Sequence, residues 1–74
     1  MKTIYHVYSD RDGEIEGMFD AEENLLDWWC CNDGMWRGEY FDGFLEALGI
    51  AVEYDTSQAP LFKRLRKKLE KAAA

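Results

Sequence analysis

DAEENLLDWWCCNDG, residues 20–34, is the stretch on which the architecture turns. Asp20 stands as an N-cap with Glu23 three residues on, a variant of the capping box, and Glu22 and Glu23 place negative charge at the positive end of a helix. Leu25, Leu26, Trp29 and Cys30 follow at helical spacing, and Asn32-Asp33-Gly34 stops the run. The pattern predicts a helix, followed by a linker over residues 35–38 that contains Trp36 and Arg37.

Upstream, residues 2–8 alternate Thr3, Tyr5 and Val7 with Ile4, His6 and Tyr8, which is the period of a strand rich in β-branched and aromatic side chains. Residues 9–13, SDRDG, are turn chemistry, and residues 14–19 resume the extended pattern, so a β-hairpin is expected. Downstream, Tyr40 or Phe41 with Phe44, Leu45 and Leu48 repeat at three and four. Residues 39–48 therefore read as a second helix closed by Gly49. Ile50, Val52 and Tyr54 give a third strand. Ser57 caps a last helix, residues 57–71, with Pro60 in its first turn and Leu61, Phe62, Leu65 and Leu69 as its apolar stripe. The expected fold is α+β in the order ββααβα, a small three-stranded sheet covered by two or three helices. Residues 1–74 form one compact domain, with the basic amphipathic helix at its end.

Charge divides the chain in two. The formal net charge is −6, yet residues 1–59 carry 14 acidic side chains against Lys2, Arg11 and Arg37, while residues 60–74 carry six cations against Glu70. An acidic body repels nucleic acid and anionic membrane and attracts the basic grooves of proteins that bind nucleic acid. An apolar fraction of 47% excludes a disordered acidic segment. The first residues lack the uninterrupted apolar core of a signal peptide, and no run is long enough to span a bilayer, so a cytoplasmic location is expected.

Enzymatic chemistry finds no foothold in this pattern. His6 is the one histidine and has no second histidine or Cys-x-x-Cys to share a metal, so it reads as a packed or surface residue. YSDRDGEI, residues 8–15, faintly echoes a calcium loop but offers Tyr8 and Phe19 where oxygen donors are required; it reads as a hairpin turn. Cys30 and Cys31 are neighbours, too strained to bridge each other. At the negative end of a helix and among carboxylates, their thiolates are disfavoured. No metal, cofactor or catalytic residue is expected.

The carboxylates form the clearest pattern. Asp20, Glu23 and Asp27 fall on one stripe of the first expected helix, and Glu39, Asp42 and Glu46 repeat that spacing on the second. Carboxylates in such rows resemble the phosphates of a nucleic acid. Trp28 lies off the inward face of the first expected helix and Trp36 in the linker, and Trp36 and Tyr40 offer apolar anchors between the rows.

IYHVYSDRDGEIEGMFDA, residues 4–21, followed by EYFDGF, residues 39–44, resembles the opening of ArdA-type antirestriction proteins. More broadly, the chain is similar to small acidic inhibitors of phages and mobile elements, including DNA mimics and anti-CRISPR proteins. The resemblance implies a non-enzymatic inhibitor that binds a host nucleic-acid-processing protein in the host bacterial cytoplasm and blocks its DNA- or RNA-binding groove; it assigns no individual residue. The charge pattern assigns Glu22, Glu23, Asp27, Glu39, Asp42 and Glu46 to the partner surface, with Trp36 and Tyr40 as anchors. The alternative is an adaptor or homodimer that uses an exposed aromatic patch, and direct nucleic-acid contact by the basic tail is not favoured.

Overall fold

The computed structural model describes residues 2–9, 14–30, 35–36, 42–55 and 59–73, and for Met35, Trp36 and Asp42 the backbone alone. Strands β1 (Thr3–Tyr8), β2 (Ile15–Phe19) and β3 (Leu25–Cys30) run as a meander, and the two-residue β4 (Met35–Trp36) continues it. Helix α1 (Asp42–Ala47) leads into β5 (Ala51–Tyr54), and α2 (Pro60–Ala73) ends the described chain. The sheet is mixed, in the order β4-β3-β2-β1-β5. Neighbours are antiparallel except for β5, which lies parallel to β1 with Ile4 opposite Val52.

This overturns the expected three-stranded sheet and the order ββααβα. The expected first helix is strand β3, and part of the expected linker is β4, so the sheet gains two strands and the described helices number two. The reason lies in both ends of the segment. Asp20 does what an N-cap does, accepting at Oδ1 from the backbone N–H of Glu22 at 3.0 Å and of Asn24 at 2.9 Å. Here those bonds close a β-turn, with Glu23 N–H donating to the Asp20 carbonyl at 3.0 Å. The same side-chain chemistry serves a turn as well as a helix start. Glu23 adopts φ 66°, a left-handed conformation that ends any helical path.

Beyond the turn, β3 is covered on both faces. Leu25 and Trp28 pack with the cluster of Val7, Phe19, Phe62, Leu65 and Leu69, whereas Leu26 packs with Ile4, Met18 and Leu45. Adjacent strand residues face opposite sides, so Leu25 and Leu26 divide between the two faces, and the register shift between Met18 and Phe19 then returns Trp28, three residues on, to the face of Leu25. A strand buried on both faces loses its alternation and imitates a helical stripe.

The two clusters are the two faces of the sheet. Helix α2 lays Phe62, Leu65 and Leu69 on one face, and α1 lays Leu45 on the other. Six residues make α1 short. It ends in a Schellman motif, in which Gly49 at φ 75° donates to the Glu46 carbonyl at 3.0 Å and Ile50 N–H donates to the Leu45 carbonyl at 3.0 Å. No helix among the described residues is long and apolar enough to cross a membrane.

At Gly17 the helix packs directly on the sheet backbone. A Cβ built there would meet Leu69 Cδ1 at 2.8 Å and Leu25 Cδ1 at 3.2 Å. Leu69 is fully buried and has little room to yield. Gly17→Ala is expected to cost about 1–3 kcal/mol by overpacking. In a Leu69→Ala background, itself about 2–5 kcal/mol less stable, most of the Gly17→Ala cost should vanish. Urea unfolding of the four proteins checks this, and simple additivity of the two substitutions would contradict the packing.

Candidate functional site

The placement of cations decides which surfaces remain acidic. Seven of the nine Lys and Arg residues are described, six of them on α2 and the seventh, Lys2, at the foot of β1. Because the apolar stripe of α2 faces the sheet, its cations divide between the flanks of the helix and its outward crest.

Arg64 and Lys68, one turn apart on one flank, reach the β2–β3 turn. Arg64 donates from Nε and Nη2 to the two carboxylate oxygens of Glu23 at 3.3 and 3.4 Å, and Lys68 Nζ donates to the Glu23 carbonyl at 3.0 Å. The guanidinium beside it, helped by the charge of Lys68, holds the Glu23 carboxyl below its ordinary value of 4.5. Asp20, in the same turn, is lowered first by the Asn24 backbone N–H. On the other flank Arg66 pairs with Asp55, whose side chain is 4% exposed and also accepts from Tyr8 N–H at 3.4 Å. Glu23 and Asp55 thus pair with three of the helix's cations. They tie α2 to the sheet at two points.

The opposite face of the sheet carries no α2 cation. His6, Met18 and Asp27 stand in one row across β1, β2 and β3, and Tyr8, Glu16 and Trp29 form the next. His6 is 2% exposed and donates from Nε2 to Glu16 Oε1 at 2.7 Å, with its ring stacked on Tyr8 at 4.7 Å and tilted against Tyr54 at 5.6 Å. Glu46 on α1 covers the same side and is exposed. The described polar groups on this face are thus carboxylates, tyrosines and one histidine.

The residues expected to form the partner surface do not share one wall. Glu22 is exposed in the β2–β3 turn and Glu46 is exposed on α1. The registers of β1 with β2 and β5 put that turn and the α1–β5 connection at the same end of the sheet. Asp27 is 4% exposed within β3, where its Oδ1 accepts from the following Trp28 N–H at 2.9 Å. Glu23 is tied to α2. Trp36 pairs through its backbone with Trp29, Asp42 opens α1, and Glu39 and Tyr40 lie outside the described residues. The carboxylate row Asp20, Glu23 and Asp27 does not exist, because no helix carries it.

Residues that sequence reading passed over are His6 with Glu16 and Asp55 with Arg66. The first pair was within reach, since His6 and Glu16 occupy the same side of the expected antiparallel pair β1 and β2. The second joins the end of β5 to the middle of a helix and leaves no periodic trace. No group of three His, Cys, Asp or Glu that would hold a metal ion occurs among the described residues. Cys30 is a free thiol, half-buried, and Cys31 lies outside the described residues.

Two measurements probe the ties to α2. Since the folded Glu23 carboxyl is lowered, its contribution is present above the unfolded value near 4.5 and is lost as pH falls through the folded one. Glu23→Gln should therefore flatten the loss of stability on acidification below about pH 4.5, read by thermal unfolding across a pH series. Arg66→Met leaves the Asp55 carboxylate buried without its guanidinium and should cost about 3–5 kcal/mol. A cost below about 1 kcal/mol would show that the pair is solvated.

The chain matches no protein-family model, no curated protein and no solved structure.

Proposed function

We propose that the protein is a non-enzymatic inhibitor whose acidic face occupies a basic groove on a host nucleic-acid-processing protein. One observation carries this reading: the sheet keeps every α2 cation off the side that carries Glu16, Asp27 and Glu46. The surface suited to a basic groove is the α1 side and the adjoining end of the sheet, where Glu22 and Glu46 are exposed. It is not a pair of helical carboxylate rows. A domain so divided enters a basic groove in one orientation, because its basic helix is repelled where its acidic face is attracted.

Immobilised protein challenged with bacterial lysate should retain nucleic-acid-binding proteins that elute between about 0.1 and 0.5 M salt, over which screening shortens from about 10 Å to a few ångström. Duplex DNA should compete for the retained protein, and Glu22→Lys with Glu46→Lys should lower retention at least about tenfold. Retention that is indifferent to salt, to competing DNA and to charge reversal would refute the proposal.

A second reading is the homodimer or adaptor. Among the described residues the large apolar side chains left exposed are Leu48, 59% exposed, just before the edge strand β5, and Tyr54, 45% exposed, at its end. If they form a dimer contact, sedimentation at about 100 µM should show a dimer that Leu48→Glu with Tyr54→Ser converts to monomer.

A further inference from the structure

Three of the six α2 cations have no role in holding the helix down. Lys63, Lys67 and Lys71 recur every fourth residue, are exposed, and form no ion pair among the described residues. Their spacing puts them along the crest, opposite Phe62, Leu65 and Leu69. Like charges at that spacing repel, and a chain of net charge −6 does not need them for solubility. Lys68, Arg64 and Arg66 already anchor the helix.

We infer that this crest is a contact surface for the phosphodiester backbone of a double-stranded nucleic acid. Four residues of helix rise about 6 Å, so the three ammonium groups span about 12 Å. A duplex strand offers a regular row of phosphates along its backbone, and three ammonium groups about 6 Å apart can lie along such a row. Lysines act as point charges and suit a row of phosphates read without regard to sequence. The crest carries no aromatic side chain on which an unpaired base would stack, which favours a duplex over a single strand. A lipid surface is disfavoured because the apolar stripe it would take up is buried against the sheet, with Phe62 5% exposed and Leu65 and Leu69 fully buried.

The acidic body does not forbid this contact. Of the described carboxylates on the α2 side, Glu23 and Asp55 are paired with helix cations, and the exposed Glu53 and Glu70 are two against the three crest lysines. The acidic face lies across the molecule, whose shortest dimension is 19 Å. That is more than two screening lengths at physiological salt, each about 8 Å. The inference goes beyond the proposed inhibition and does not depend on it, since it concerns the chain alone with nucleic acid.

Fluorescence anisotropy of a labelled 20-base-pair DNA duplex, titrated with the full chain at salt from about 0.1 M upward, where screening lengths are about 10 Å or less, tests it. Saturable binding is expected, with a slope of log affinity against log salt near −2.7, about 0.9 for each of three phosphates. K63Q/K67Q/K71Q should weaken it at least about tenfold while unfolding at an unchanged temperature, and K63R/K67R/K71R should retain it. A duplex of RNA, which offers the same phosphodiester chemistry, should bind comparably. Absence of saturable binding, undiminished binding by the glutamine variant, or a slope near zero would overturn the inference. Tighter binding to phosphatidylserine vesicles than to the duplex would overturn it equally, by assigning the crest to lipid headgroups.

Discussion

Everything in this domain answers to the contact between the apolar stripe of α2 and one face of the sheet. Phe62, Leu65 and Leu69 cannot be buried by a helix of 14 residues alone, and a hairpin of β1 and β2 is too narrow to cover them. The third strand supplies the rest, through Leu25 and Trp28, and Gly17 clears the ground beneath Leu69. Once α2 is seated, its flanks are fixed, and so is the identity of the carboxylates that can reach them. The left-handed turn at Glu23 presents both a side chain and a carbonyl to Arg64 and Lys68, and the end of β5 presents Asp55 to Arg66.

That seating also arranges the charge. An acidic sequence followed by a basic one would self-neutralise if the tail folded over the acidic residues at large. The sheet prevents this, because it interposes a layer between α2 and the carboxylates on the α1 side. Only the acids at the margins of the α2 face are reached. The result is an overall negative domain with a basic ridge, in which the net charge of −6 describes neither side. Net charge speaks for approach at long range; at contact distances within a screening length, the local arrangement governs.

Much of this was legible in the sequence, and what was not has a physical cause. The alternation in residues 2–8 and 14–19 is that of β1 and β2, because each strand carries a true period of two and the two pair antiparallel, while residues 10–13 of the expected turn lie outside the described residues. Gly49 marks the end of α1 with φ 75°, since it acts through the backbone rather than through context, whereas α2 begins at Pro60, three residues after the expected start at residue 57. The failure at residues 20–30 has two sources. Asp20 makes the hydrogen bonds of a cap in a turn that is not a helix, and Leu25 and Trp28 share a face at a helix-like spacing of three because the register shifts beside them. Neither fact is local to the segment. Both depend on β2 lying alongside.

The same error carried the functional reading with it. On a helix, Asp20, Glu23 and Asp27 would share one solvent-facing stripe and imitate a row of phosphates. On a turn and a strand they part company: Asp20 is spent on the turn, Glu23 on α2, and Asp27 points into the α1 side of the sheet with 4% of its surface exposed. A mimic of nucleic-acid charge then has to be built from residues distant in sequence, Glu22 from a turn and Glu46 from α1, brought to one end of the sheet by the parallel pairing of β5 with β1. Such a surface is set by topology and not by helical period. Its dependence on the β1–β5 register, more than on any single carboxylate, is what ties the proposed activity to the fold.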